Sequence, residues 1–363
     1  MIDETLMSFE ERSAYNLRSL YKKYGYLPYK MGKFEEYELY IRNKDFLVSD
    51  RVIAFNDTNG KLMALKPDVT LSIIKNGEDV KGVKQKVFYN ENVYRVSETT
   101  HRFKEIMQTG LECIGDIDIY DIFEVISLAA ESLASFTDDF CIEVSNLDFV
   151  RSVITSVCDD VKFAADAINC ISEKNSHDLK QICQKYSIDE TGFNKISSLI
   201  SVYGNRKNVI SKLNEIFESY ETEKLAMLSD MLDKSAFSDK IKFDFSVVND
   251  MNYYNGFVYR GFVDGVCCGV LAGGQYDNMM KKMNRNSGAI GFAIYLDRIE
   301  DSLRETDKFD VDYLLLYDGE TDLFTISDTV NKYTQTGVSV SAQKNIPEKL
   351  RYKKILDLRK KAK

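Results

Sequence analysis

Residues 94–115 read YRVSETTHRFKEIMQTGLECIG. Strand-forming runs, KVFYNENVYRV before and IMQTGLECIGD after, enclose a polar loop at residues 97–104, the pattern of a long hairpin. Side chains alternate along a strand, so Gln108 and Glu112 point to one face and Met107 and Leu111 to the other. A carboxylate and an amide aimed at a common face can hold a small amino acid. By periodicity alone the same pair describes the polar outer face of an antiparallel sheet. Arg95, Arg102 and Lys104 stand at the turn end, where guanidinium forks match phosphate oxygens, although exposed hairpin arginines are more often solvated.

Upstream, residues 9–24 space their apolar positions as a helix does, and Gly25 stands where a C-terminal cap belongs. VIAF, Asn59-Gly60 and KLMAL make a hairpin. After Pro67 the segment DVTLSIIKNG reads as a helix capped by Asp68 or Thr70. Downstream, residues 120–135 form an amphipathic helix and CIEVSNLDFV the next strand. Residues 151–237 alternate helical stretches with polar breaks and lack a strand signature. Strands return at IKFDFSVV and NGFVYRGFVDGVCCGVLAGG, with Asp264-Gly265 as a turn, and residues 288–303 run from a glycine-led apolar stretch into a helix. VDYLLLY, ETDLFTISDTVNKYTQTG and VSVSA then alternate as a small α/β unit. The last twenty residues, 344–363, hold nine Lys or Arg against Glu348 and Asp357, and read as a C-terminal helix whose charges complement its dipole.

The chain has 363 residues, and its net charge of −9 opposes long-range attraction to nucleic acid or anionic lipid. Seven irregularly spaced cysteines without a CxxC pair suit reduced thiols, and two histidines make a zinc site improbable. Residues 1–11 carry four acidic groups and no apolar run, unlike a signal peptide, and no stretch of about eighteen apolar residues occurs. The expectation is a cytoplasmic protein with no metal, no cofactor, no membrane and no nucleic acid as partner.

Taken together, these segments resemble the histidyl-tRNA synthetases. YRVSETTHRFKEIMQTGLECIG is similar to the second motif of class II aminoacyl-tRNA synthetases, and ALKPDVT to the family's L-R-P-E-x-T segment. NYYNGFVY resembles its second histidine-recognition segment, AGGQYD its glycine-rich strand, and GAIGFAIYLDRIEDSL the third class motif. The resemblance implies an α+β fold: a class II synthetase-like antiparallel sheet flanked by helices, formed by residues 1–150 and 238–305. Residues 151–237 would be a helical insertion and 306–363 a small C-terminal α/β domain. It assigns Asp68, Thr70 and Gln108 to the α-amino group of histidine, Glu112 and Tyr254 to the imidazole, with Tyr253 beside them. Arg95, Arg102 and Arg298 match arginines that contact the phosphates of ATP, here vestigial.

Departures from the family fall on the ATP side. The arginine that opens the family's R-G-L-D-Y-Y segment is Asn249 here, and losing such a charge stabiliser typically costs about 2.7–4 kcal/mol. The glutamate that orients adenine is Ser97, with Glu98 one position off, and a glycine that leaves room beside adenine is Tyr295. Sixty residues follow Leu303, fewer than an anticodon-binding domain of roughly a hundred. The pattern therefore resembles the synthetase paralogues that serve as regulatory subunits of ATP phosphoribosyltransferase in histidine biosynthesis. That resemblance implies L-histidine as ligand, no catalytic residues, and a homodimer within a hetero-oligomer built with the short-form catalytic subunit. The competing readings are a histidine-activating ligase, a degenerate synthetase, and an RNA-binding module resting on the basic tail.

Overall fold

The computed structural model describes residues 7–44, 47, 52–77, 82–97, 100–248, 253–303 and 309–359. Asn249 and Glu98 lie outside them. The chain divides into two compact units, Met1–Glu300 and Asp301–Lys363.

The first unit opens with helix α1 (Phe9–Lys23), whose first turn is closed by a reciprocal pair. Glu11 N–H donates to Ser8 Oγ at 3.2 Å and Ser8 N–H to Glu11 Oε2 at 2.9 Å. Gly25, at φ +82°, lets the chain leave the helix into strand β1 (Leu27–Pro28). A small antiparallel sheet follows, made of β2 (Phe34–Glu36), β3 (Ala54–Asn56) and β4 (Leu62–Leu65), with α2 (Tyr37–Arg42) between the first two. Asp57 Oδ1 accepts from the N–H groups of Asn59 and Lys61, which fixes the β3–β4 turn.

Helix α3 (Thr70–Asn76) leads to the hairpin of β5 (Gln85–Val96) and β6 (Phe103–Gly115), which pair along their whole length from Gln85↔Ile114 to Val96↔Phe103. The connecting turn is thus shorter than the polar run suggests, because Phe103 and Lys104 already belong to β6. Helix α4 (Ile119–Ala134) packs on the sheet, and its Ser132 meets the Tyr21 hydroxyl of α1 at 3.0 Å. Strand β7 (Phe140–Asn146) ends sooner than expected, since Asn146 Oδ1 accepts the Phe149 N–H at 2.9 Å. This turns the LDFV stretch into the start of α5 (Leu147–Val157).

Helices α6 (Val161–Ser172), α7 (Ser176–Lys185), α8 (Glu190–Ser201), α9 (Arg206–Leu213) and α10 (Ser219–Leu232) make the helical stretch. It contains a strand that periodicity missed, β8 (Tyr203–Gly204), which extends the main sheet by pairing with β9 (Ile241–Asp244). Buried Arg206 ties this stretch down through the carbonyls of Ser238 and Ile241 and the Asp233 carboxylate. Then come β10 (Asn255–Val263), β11 (Leu271–Gln275), α11 (Asp277–Lys282), β12 (Gly288–Tyr295) and α12 (Leu296–Leu303).

The main sheet has nine strands in the order β1-β5-β6-β12-β11-β10-β7-β9-β8. Its six central strands, β5 to β7, are antiparallel throughout, whereas β1 and β9 join the two sides in parallel, so the sheet is mixed at its margins. Leu71, Ile73 and Ile74 of α3 are fully buried in a core that includes Val87, Tyr89 and Tyr276. At about 1.5–3 kcal/mol for each fully buried large apolar side chain, this packing fixes where Thr70 begins its helix.

In the second unit, β13 (Val311–Leu316), α13 (Leu323–Thr334), β14 (Val340–Gln343) and β15 (Tyr352–Asp357) form a parallel three-stranded sheet in the order β14-β13-β15. Among its described residues, 344–359, the basic tail therefore holds the strand β15 and no helix. Two of its cations are paired there, Arg351 to Asp310 just ahead of β13 at 2.6 Å and Lys353 to Asp312 at 2.5 Å, while Ile355 and Leu356 lie opposite Leu314 and Leu315. Among the described residues no helix is long and apolar enough to cross a membrane.

Candidate functional site

The alternation of β6 does bring Gln108 and Glu112 to one face, and that face is interior: the two residues are 3% and 2% exposed. The outer-face reading of this pair fails because α3 and α11 bring groups over it. Thr70 Oγ1 donates to Glu112 Oε1 at 2.8 Å, and the Tyr276 hydroxyl, just ahead of α11, donates to Oε2 at 2.7 Å. Gly291 of β12 lies opposite Glu112 in register.

Asp68 is buried as well, and its Oδ1 accepts the Leu71 N–H at 2.9 Å. It therefore caps α3, as expected, while Thr70 is already the first residue of that helix. Tyr253 and Tyr254 precede β10; their ring centroids are 4.5 Å apart, and Tyr253 stands 6.2 Å from the ring of Tyr276. Asp68, Thr70, Glu112, Tyr253 and Tyr254 thus act on one another, with Gln108 on the same strand face as Glu112.

Burial dominates the electrostatics. It pushes the Glu112 carboxyl up to about 8 against the opposing hydrogen bonds of Tyr276 and Thr70, and nearby Asp68 adds to the rise. Asp68 is raised for the same reason, opposed by the Leu71 N–H and the charge of Arg95. The phenols of Tyr89, Tyr253, Tyr259 and Tyr276 are held well above their ordinary range by burial and by Glu112 or Asp68, so they stay neutral donors. A buried carboxyl with a donor on each oxygen can accept a further N–H from a cation or an imidazole.

The three arginines stand differently. Arg95 is half-buried, and its Nε donates to the Pro67 carbonyl at 3.0 Å. Arg102 is exposed at the hairpin turn. Arg298 is exposed on α12, donates to the Gly269 carbonyl, and lies over the ring of Tyr295 at 4.2 Å from its centroid.

Sequence reasoning missed Tyr276, although AGGQYD had been singled out; a tyrosine directly after a glycine-rich strand was the available signal. It also missed the buried pair of Lys66 and Glu91, since ALKPDVT gives no hint that its lysine is 0% exposed.

The histidyl-tRNA synthetase family model matches residues 4–299. The ATP phosphoribosyltransferase regulatory subunit of Clostridium acetobutylicum is 25% identical over 357 residues, covering 93% of this chain and 86% of the relative. A crystal structure of an ATP phosphoribosyltransferase regulatory subunit/histidyl-tRNA synthetase from Bacillus halodurans C shares the fold with a TM-score of 0.74 at 20% identity, over 97% of this chain and 94% of its own. A chain of the ATP phosphoribosyl transferase (HisG:HisZ) complex from Thermotoga maritima gives a TM-score of 0.64 at 19% identity, over 80% of this chain and 98% of its own. The class II synthetase-like fold expected from the motifs is thereby the observed one, and with most of its length matched by the family model, the chain belongs to the histidyl-tRNA synthetase family.

Proposed function

We propose that this chain is a regulatory subunit of ATP phosphoribosyltransferase, acting in the cytoplasm in the first step of histidine biosynthesis. It binds L-histidine, performs no chemistry of its own, and forms a homodimer within a hetero-oligomer with the short-form catalytic subunit. The observation that carries this reading is an asymmetry. On the histidine side Asp68, Thr70 and Glu112 are buried and act on one another, whereas on the ATP side Arg298 is engaged by Tyr295 and Gly269. The naming of the Clostridium acetobutylicum relative as a regulatory subunit supports it.

Glu112 and Tyr254 are the groups proposed for the imidazole, and Asp68, Thr70 and Gln108 for the α-amino group, with Tyr253 packed against Tyr254. Charge-assisted hydrogen bonds to such groups are worth about 1.5–3 kcal/mol each. The exposed Phe34 and Phe55, edge to face at 5.4 Å on the small sheet, suit the self-interface of the homodimer.

The test adds purified chain to the short catalytic subunit, measures phosphoribosyl-ATP formation, and titrates histidine with wild type and Glu112→Ala. Activity should rise on addition of the chain and fall with histidine for wild type only. Equal activity with and without the chain would overturn the reading, and robust histidine-dependent pyrophosphate exchange by the chain alone would favour the ligase instead.

A further inference from the structure

Of the seven cysteines, Cys113, Cys170 and Cys183 are buried and Cys141 and Cys158 are partly covered, whereas Cys267 and Cys268 are exposed and adjacent in the chain. Burial pushes the Cys113 thiol up to about 12 and lifts Cys141, Cys170 and Cys183 above their ordinary value, which keeps their thiolates scarce. Thiol chemistry arriving from solution is thereby directed to the exposed pair. That pair occupies the connection between β10 and β11, which is anchored on both sides of it. The Val266 N–H donates to the Val263 carbonyl at 3.2 Å and the Val270 N–H to the Gly261 carbonyl at 2.9 Å, while the Val270 carbonyl accepts the Tyr295 N–H at 2.8 Å. Between these anchors the amides of Cys267, Cys268 and Gly269 meet no acceptor among the described residues, so the bend can change its dihedrals without breaking a bond from them. The Gly269 carbonyl is engaged, and its donor is Arg298.

We propose that Cys267 and Cys268 form a thiol–disulfide site, which a low-molecular-weight disulfide closes into a ring, drawing the Gly269 carbonyl away from Arg298. The thiolate of one cysteine attacks the disulfide RS–SR, breaks its S–S bond, forms a mixed disulfide and releases RS⁻. The second thiolate then attacks the cysteine sulfur of that mixed disulfide, forms the Cys267–Cys268 bond and releases a second RS⁻. The protons of the two cysteine thiols end on the two released thiolates, so two cysteines are oxidised while one small disulfide is reduced. Successive Cα atoms lie about 3.8 Å apart, closer than the roughly 4.4–6.8 Å usual across a disulfide, so the ring is strained and excess thiol reopens it. Relief of that strain falls on the unbonded backbone of the bend, and Gly269 is the next residue along it.

The test treats the reduced full chain with oxidised glutathione, labels arginines with phenylglyoxal and maps peptides by mass without reduction. The peptide that holds both cysteines should lose two hydrogen atoms and retain no glutathione, and excess reduced glutathione should restore it. Labelling of Arg298 should rise on oxidation and fall back on reduction, and should not respond to the oxidant in a chain carrying both Cys267→Ser and Cys268→Ser. Either substitution alone, at an exposed position that leaves the fold intact, should instead trap glutathione on the remaining thiol. Glutathione retained on the wild-type pair, thiols left unmodified under excess oxidant, or earlier oxidation of another cysteine would overturn the site. Ring closure with Arg298 labelling unchanged would overturn its link to Arg298.

Discussion

Gly291 faces Glu112 across the ladder of β6 and β12, and a Cβ on that glycine would lie 1.7 Å from Glu112 Oε2 and 2.4 Å from the Leu111 carbonyl. The carboxyl therefore occupies the volume that any other residue would fill. Gly291→Ala should destabilise the fold by about 1–3 kcal/mol, the usual cost of overpacking, and weaken histidine binding together with it. Urea unfolding and calorimetry on the same preparation check both. Unchanged stability and affinity would mean that the strands part without disturbing Glu112.

Tyr276→Phe removes the donor to Glu112 Oε2 and leaves the ring in place. A loss of about 1–3 kcal/mol in stability is expected, as for a buried acceptor deprived of its partner. Denaturant midpoints measure it, and a variant as stable as wild type would show that the phenol contributes nothing to holding the carboxyl.

The pH dependence follows from the raised titration of Glu112. Between its ordinary 4.5 and about 8, the folded protein keeps a proton that the unfolded chain has released. Its stabilising contribution is fully present below about pH 4.5 and is lost as pH rises through about 8; burial drives Asp68 in the same direction. Glu112→Gln removes this penalty, so its Tm relative to wild type should climb between pH 5 and pH 8.5. A difference that stays flat over that range contradicts the assignment.

Lys66, with its side chain 1% exposed, pairs with Glu91 at 15% exposure, and burial lowers the lysine's titration. Lys66→Met strands the glutamate and should cost about 3–5 kcal/mol, whereas Lys66→Met combined with Glu91→Leu should recover most of that loss. A double-mutant cycle in guanidinium tests this; purely additive losses would deny the coupling.

Elements set by neighbours in sequence were legible: the hairpin at Asn59-Gly60, the cap at Gly25 and the alternation along β6 all depend on a few adjacent residues. The burial of Glu112 was not, because its two donors stand 42 and 164 residues away in the chain. The same reason hid β15, whose partners are Asp310, just ahead of β13, and Asp312 and Leu314 on that strand, some forty residues earlier. Misreading LDFV was a different error, a missed Asn146 cap. Site residues carried over from the motifs came together where β6 and α3 meet, while Arg102 and Arg298 proved to be surface groups.

Tyr295 is tied to Arg298 through only two intervening residues, and that tether has a cost for anything else seeking the same guanidinium face. A partner on so short a leash acts as though present at an effective concentration on the order of millimolar or above. Any planar ring arriving from solution enters as a competitor against one that never leaves, so raising its supply gains little occupancy. The contest was decided when the chain folded.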